Sequence, residues 1–320
     1  MQTQPEFLIL RKHLEHSIVG QSRLLDRLMI ALLTGGHILL EGPPGLAKTT
    51  AVKALAGGVH ARFQRIQFTP DLMPADITGS DVFDPKTGDF RFVSGPLFNE
   101  IVLADEINRA PPKVQAALLE AMEEHQVTIG GRSHALPDLF IVMATQNPLE
   151  QSGTYPLPEA QLDRFLLHVV IDYPNEEEEL RILDLDRGMH FGEDRSGDDT
   201  RLSPATVLSA RREVAEIHIE DALKRYAVDI VAATRNPGRW LPDWSDAIHF
   251  GASPRATLAM VRAASAHAYL QGRDYVIPDD VIEVAGDVLR HRIIPSYAAR
   301  AKQLGSDDLI RGILEAIPVP

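Results

Sequence analysis

The stretch Gly42-Pro43-Pro44-Gly45-Leu46-Ala47-Lys48-Thr49-Thr50 constrains this chain more than any other. It follows a short apolar run, residues 37–40, that reads as a buried strand. It opens a segment, residues 49–56, whose apolar spacing is helical. A strand that turns through glycines into a helix N-terminus presents backbone N–H groups and the positive end of the helix dipole to an anion. Lys48 is then placed to reach β- and γ-phosphates, and the Thr49 hydroxyl to hold Mg²⁺. The loop departs from the usual phosphate cradle at Ala47, where glycine ordinarily precedes the lysine. A methyl group is tolerated there if the backbone keeps a negative φ. A tight strand–helix turn without a ligand is the alternative for the loop taken alone.

Apolar runs at 62–68, 100–104, 139–144 and 166–171 predict further strands, with helical stretches such as 113–123 between most of them. Pro111 and Pro112 suit the first turn of that helix. This alternation predicts an α/β domain, a mainly parallel sheet flanked by helices, over residues 1–174. Two segments interrupt it. Residues 69–98 hold too many breakers for one helix, and residues 125–137 place Gly130-Gly131 between two short alternating runs, a hairpin signal. After Pro174 the strand signals stop. Asn175 followed by four glutamates starts a helix, a capping side chain before acids at the positive end of the dipole. Residues 187–202 are rich in Gly and Asp and read as a loop. Helical patterns at 204–217, Asp221–Arg235, Pro254–Leu270 and 278–291 predict an all-helical second domain over 175–320.

Two further strand ends carry chemistry. The run Ile101-Val102-Leu103-Ala104 ends in Asp105 and Glu106, at the carboxyl edge where ligands bind in open α/β sheets. Asp105 would organise Mg²⁺ and its waters; Glu106 would orient and deprotonate an attacking water. The competing use of either carboxylate is to cap the segment that follows. At the end of the next strand, Asn147 offers a neutral amide that holds water in line with a γ-phosphate, or else merely starts a turn before Pro148.

Composition excludes several classes. The chain has no cysteine, so disulfides, thiolate metal sites and cysteine nucleophiles are absent, which fits a cytoplasmic location. A net charge of −13 disfavours nucleic acid as the main partner. The N-terminus shows no signal-peptide pattern, and no apolar run approaches a membrane span. The twelve histidines are scattered, with no metal-binding pair on one helix face.

Together these residues resemble the MoxR family of AAA+ ATPases. The resemblance is nearly collinear from Ile18 to Phe165 and rests on EGPPGLAKT (41–49), ADITGS (75–80), GPLF (95–98), LADEINRAPPKVQAALLEAMEE (103–124), ATQNP (144–148) and GTYPLPEAQLDRF (153–165). Alanine before the lysine is usual in that family, so Ala47 becomes a family mark. Weaker similarity continues at Gly251–255 and 277–280. The resemblance implies that ATP and Mg²⁺ are bound, that Val19, Gly20 and Gln21 pack near adenine, and that Arg164 is an arginine finger acting on a neighbouring subunit's ATP. It implies that Arg255 is the sensor-2 arginine of a lid helix. It also implies that 69–98 is a helix-2 insert, that 125–137 is a pre-sensor-1 hairpin, and that the assembly is a ring, usually a hexamer. Arg109 and Arg132 become candidate intersubunit or partner contacts. Family members act like chaperones, often with a von Willebrand factor A (VWA) domain partner. A nucleic-acid motor of the same clade would want a basic, aromatic-bearing hairpin, and this one has Arg132 and two histidines but no aromatic. A low-turnover nucleotide-dependent scaffold would be favoured by loss of Glu106, Asn147 or Arg164, all of which are present.

Overall fold

The computed structural model describes residues 1–320 apart from 19, 44, 47, 149–152 and 191–200. In chain order, α1 (Gln4–Ser17) and α2 (Ser22–Thr34) precede β1 (Ile38–Glu41), α3 (Lys48–Gly58) and β2 (Phe63–Gln67). The short α4 (Pro74–Thr78) leads to β3 (Gly79–Asp84) and β4 (Asp89–Ser94). Next come β5 (Ile101–Asp105), α5 (Pro112–Glu124), β6 (Gln126–Ile129), β7 (Arg132–Ala135) and β8 (Ile141–Gln146). After these follow α6 (Glu159–Leu162), β9 (Leu167–Val170), α7 (Glu176–His190), α8 (Pro204–Ala215) and α9 (Asp221–Arg235). The chain ends through β10 (Ile248–Phe250), α10 (Pro254–Leu270), α11 (Pro278–Leu289), β11 (Ile294–Pro295), α12 (Tyr297–Ala301) and α13 (Ser306–Ala316).

Packing groups the chain into two units. A sheet unit comprises Pro5–Pro156 and Val169–Leu208, and a helical unit comprises Met1–Gln4, Leu157–His168 and Ser209–Pro320. This grouping interleaves along the chain. The reasons are local contacts. A Cβ at Gly20 would lie 3.0 Å from the Glu178 side chain, so the first turn of α7 packs against the sheet unit. Leu202 pairs with the end of α3, its amide donating to Gly58 O at 2.9 Å and its carbonyl accepting from His60 N at 2.8 Å.

In the sheet unit the strand order is β2-β5-β8-β1-β9, with β1–β8, β2–β5 and β5–β8 parallel. The central strands β5 and β8 are buried at every position except Gln146, as their unbroken apolar runs require of strands covered on both faces. Helix starts follow the cues in the sequence. Pro112 occupies the first position of α5, and Asn175 with Glu178 forms a reciprocal cap on α7, with bonds of 2.9 and 3.0 Å. Both interruptions are antiparallel hairpins, β3–β4 and β6–β7, the latter turning through Gly130 (φ 56°) and Gly131 (φ 78°). The two hairpins touch where Phe92 stacks on His134, ring centroids 3.9 Å apart.

In the helical unit, α10 buries a stripe rich in alanine (Ala256, Ala259, Ala263, Ala264), which lets neighbouring helices approach closely. The unit's helices are joined by a short antiparallel ribbon, β10–β11. Asp280 is fully buried and accepts two bonds from Arg273 (2.6 and 2.7 Å), one from the Ile277 amide (2.8 Å), and pairs with His267 at 2.7 Å. Among the described residues no helix is long and apolar enough to cross a membrane.

Candidate active site

The loop after β1 is shaped by close backbone approach. A Cβ on Gly42 would lie 2.7 Å from the Ile171 carbonyl oxygen, so only glycine fits there without displacing β9's continuation. Gly45 adopts φ 87°, a conformation that L side chains rarely take. Leu46 is buried, while Thr49 is half-buried and Thr50 exposed on the first turn of α3. Pro44, Ala47 and Val19 lie outside the described residues. Lys48 folds over its own loop, its Nζ donating to Gly42 O at 2.6 Å. Burial pulls the Lys48 pKa below its ordinary value, and the opposing pull of Asp105, Glu106 and Glu41 shows that its ammonium sits in the field of all three carboxylates.

The parallel register β5–β8, in which Ala104 pairs with Ala144, sets Thr145 beside Asp105. The buried Thr145 hydroxyl donates to Asp105 Oδ1 at 2.5 Å and accepts the Glu106 amide at 2.9 Å. One side chain therefore fixes both acidic residues. The other carboxylate oxygen, Asp105 Oδ2, accepts Nε and Nη2 of Arg65 at 2.9 and 2.7 Å. Glu106 has φ 59° and ψ 51°, left-handed for a residue with a side chain, at a cost of about 1–3 kcal/mol that its surroundings must impose. Its Oε2 accepts Gln67 Nε2 at 2.8 Å and pairs with Arg109 Nη1 at 3.2 Å. It makes no side-chain cap on the 3-10 turn Ile107–Arg109 that follows, so the capping alternative is not realised there. Asn147 follows β8 directly and is buried.

Lys48, Asp105 and Glu106 thus share one electrostatic neighbourhood, and Thr145, Arg65, Gln67 and Arg109 join it. Arg65, Gln67 and Thr145 carried no assignment in the sequence. The available signal was spacing: Arg65 and Gln67 stand two apart on a predicted strand, hence on one face. Arg109 lies against Glu106, and Arg132 is exposed on β7. Gly20 takes a left-handed φ of 74°, and Gln21 occupies the position before α2. A glycine-lined loop at a helix start, a lysine, a threonine and a buried carboxylate form a donor set that fits a nucleotide polyphosphate with a hard divalent cation.

Arg164 and Arg255 belong to the helical unit. Arg164 is half-buried in the turn after α6. Arg255 is exposed in the first turn of α10, its amide donating to the capping Ser253 Oγ at 3.2 Å.

The chain matches known proteins over most of its length. The profile of the ATPase family associated with various cellular activities (AAA) matches residues 37–167, and that of the AAA lid domain matches 244–313. The chain is 46% identical to Chaperone MoxR1 of Mycobacterium tuberculosis, over 95% of this chain and 79% of that protein. It is 33% identical to Protein MoxR of Methylorubrum extorquens, over 97% of this chain and 94% of that one. A crystal structure of a candidate ATPase from Cytophaga hutchinsonii superposes with a TM-score of 0.90 at 41% identity, covering 100% of this chain and 96% of that one. Similarity of this extent, running through loop, acidic strand end and lid, makes the chain a member of the MoxR family of AAA+ ATPases.

Proposed function

We propose that this protein binds ATP with Mg²⁺ at the Gly42–Thr50 loop and hydrolyses it to ADP and phosphate, driving chaperone-like remodelling or maturation of a protein client. The observation that carries the proposal is the Thr145 hydroxyl joined to both Asp105 and Glu106, with Lys48 in the field of those carboxylates. Bound Mg²⁺ would supply charge neutralisation at the phosphates. Thr49 and Asp105 are the residues to hold it. Lys48 would exchange its bond to Gly42 O for phosphate oxygens. Glu106, held by its left-handed backbone, would accept the proton of the attacking water, and Asn147 would orient that water. Arg255 is assigned to the nucleotide as a sensor. Arg164 is assigned to the ATP of a neighbouring subunit, where such a finger is worth about 10³–10⁵ in rate. A finger acting in trans requires a neighbouring subunit, and the family resemblance supports a ring, usually a hexamer, as that assembly. The name of the Mycobacterium relative supports a chaperone-like role, the family resemblance supports a VWA-domain partner, and the lack of cysteine fits a cytoplasmic location.

Glu106→Gln is the direct test. The variant keeps ATP affinity within a few-fold, while phosphate release falls by about 10²–10⁴, the usual worth of a general base. Full turnover in Glu106→Gln would end the assignment. The same variant held in ATP and used for affinity capture should retain the client and partner.

A further inference from the structure

The turn that carries Arg164 is held by the helical unit through Arg292. Arg292 is 7% exposed and spends all five of its guanidinium N–H groups inside the protein. Its Nε donates to Asp163 Oδ1 at 2.6 Å, and Nη2 donates to Asp163 O at 3.1 Å and Phe165 O at 2.6 Å. Its Nη1 donates to Leu166 O at 3.2 Å and to Val288 O at the end of α11. The backbone is therefore gripped on both sides of Arg164. The two preceding residues reinforce the grip. His291 Nε2 lies 3.0 Å from Phe165 O, and Arg290, itself paired with Asp287 and Asp307, donates to His168 O at 2.5 Å.

A second connection runs to α10. The other Asp163 oxygen, Oδ2, accepts the Ser253 hydroxyl at 3.2 Å, and Ser253 Oγ accepts the Arg255 amide at 3.2 Å. Burial pulls the Arg292 pKa below its ordinary value against the opposing pull of Asp163, and Arg255 lies near enough to lower it further. Asp163 thus stands one residue from Arg164 and one hydroxyl from the backbone of Arg255. A buried, fully hydrogen-bonded arginine is a costly way to hold a turn if stability alone were at stake, since apolar packing does that as well. What a planar five-donor fork adds is fixed direction.

We infer that Arg292 and Asp163 are positioning residues for Arg164: they join the turn bearing it to the start of α10, so that Arg164 and Arg255 are carried by one rigid assembly. This rests on the finger and sensor roles proposed above. Its consequence is coupling: whatever nucleotide shifts Arg255 in one subunit also shifts the arginine that this subunit offers to its neighbour.

The test is a double-mutant cycle with a kinetic split. Arg292→Met keeps the length of the side chain and removes the five bonds. It should lower kcat by about 10²-fold, the cost of roughly 1 Å of misplacement, with the KM for ATP unchanged. In the Arg164→Ala background the same change should cost nothing further, because the anchored group is already gone. In the nucleotide-free protein, amides of residues 162–166 should exchange faster in Arg292→Met while those of β5 and β8 do not. If Arg292→Met fails to fold, Asp163→Asn, which weakens the same link and leaves the backbone grip, should show a kcat loss in the same direction and the same non-additivity. A folded variant with wild-type kcat, or a loss that multiplies fully upon that of Arg164→Ala, overturns the inference. Undiminished turnover in Arg164→Ala alone would overturn the finger assignment, and the anchor's catalytic role with it. That failure is distinguished by appearing before Arg292 is touched.

Discussion

Thr145→Val isolates the hydroxyl that joins the two acidic residues while keeping the shape of a side chain only 1% exposed. Two bonds are lost. The bond to the Asp105 carboxylate has a charged acceptor and contributes about 1.5–3 kcal/mol, and the orphaned Glu106 amide costs about 1–3 kcal/mol. Relief from burying a hydroxyl offsets part of this, and Asp105 keeps its two bonds from Arg65. A net loss of about 2–4 kcal/mol should lower the melting temperature by roughly 5–15 °C for a unit of this size.

The catalytic effect follows from the backbone. Without Thr145 the Glu106 amide loses its partner, and the left-handed φ of 59° is no longer enforced. Relaxation by roughly 1 Å moves the carboxylate from its working position and costs about 10²-fold in kcat. Melting followed by circular dichroism and turnover followed by phosphate release read the two effects separately. Thr145→Ser retains the hydroxyl and should recover most of both. A Thr145→Val protein that melts within a degree of wild type and turns over at the wild-type rate would refute the tether.

Glu106→Gly should melt above Glu106→Ala, since both lose the bonds to Gln67 and Arg109 while glycine alone relieves about 1–3 kcal/mol of backbone strain, and neither should turn over measurably; equal melting temperatures would mean that no strain is stored there. Gly42→Ala forces a methyl group to within 2.7 Å of Ile171 O, and by shifting the loop should weaken ATP binding at least about tenfold by calorimetry, a loss of about 1.4 kcal/mol. Asp280→Asn should destabilise the helical unit by about 3–5 kcal/mol at neutral pH in urea titrations. Burial resists ionisation of Asp280, but bonds from Arg273, His267 and the Ile277 amide hold its carboxyl below the usual range. Its contribution is therefore complete above the unfolded value of about 3.9 and disappears as pH falls through the lower folded value, so the two proteins should converge in stability only in strong acid.

The parts of the fold legible in the sequence are those where local chemistry and burial agree. The strand ends at Asp105 and Gln146 are apolar runs terminated by polar residues, and the Gly130-Gly131 turn admits few backbone alternatives. The start of α7 was equally plain, because Asn175 and Glu178 close a cap within four residues. The ribbon β10–β11 was not legible. It joins three residues to two across more than forty positions, with no run long enough to show a period. The helices α1, α2 and α13 also carried no assignment, and interleaving of the units depends on long-range contacts such as Leu202 with Gly58 and His60.

The candidate site divides in the same way, and the division has a physical basis. Lys48, Asp105, Glu106 and Asn147 could be named in advance because each stands at the end of a strand or the start of a helix, where topology alone fixes its direction. Arg65 and Thr145 could not, because their roles depend on register: Gln67 pairs with Asp105, and Ala144 with Ala104. A one-residue slip in either pairing would turn these side chains to the opposite face of the sheet. Arg292 is more remote still, 128 positions along the chain from the arginine it positions, inside a segment, Arg290-His291-Arg292, that reads as an ordinary basic helix end. Residues that react are bound to motif positions, while those that aim them are free to come from any element that packs nearby. Function in this chain is consequently exposed also to substitutions outside the family motifs, with Arg292 in the helical unit as the clearest case.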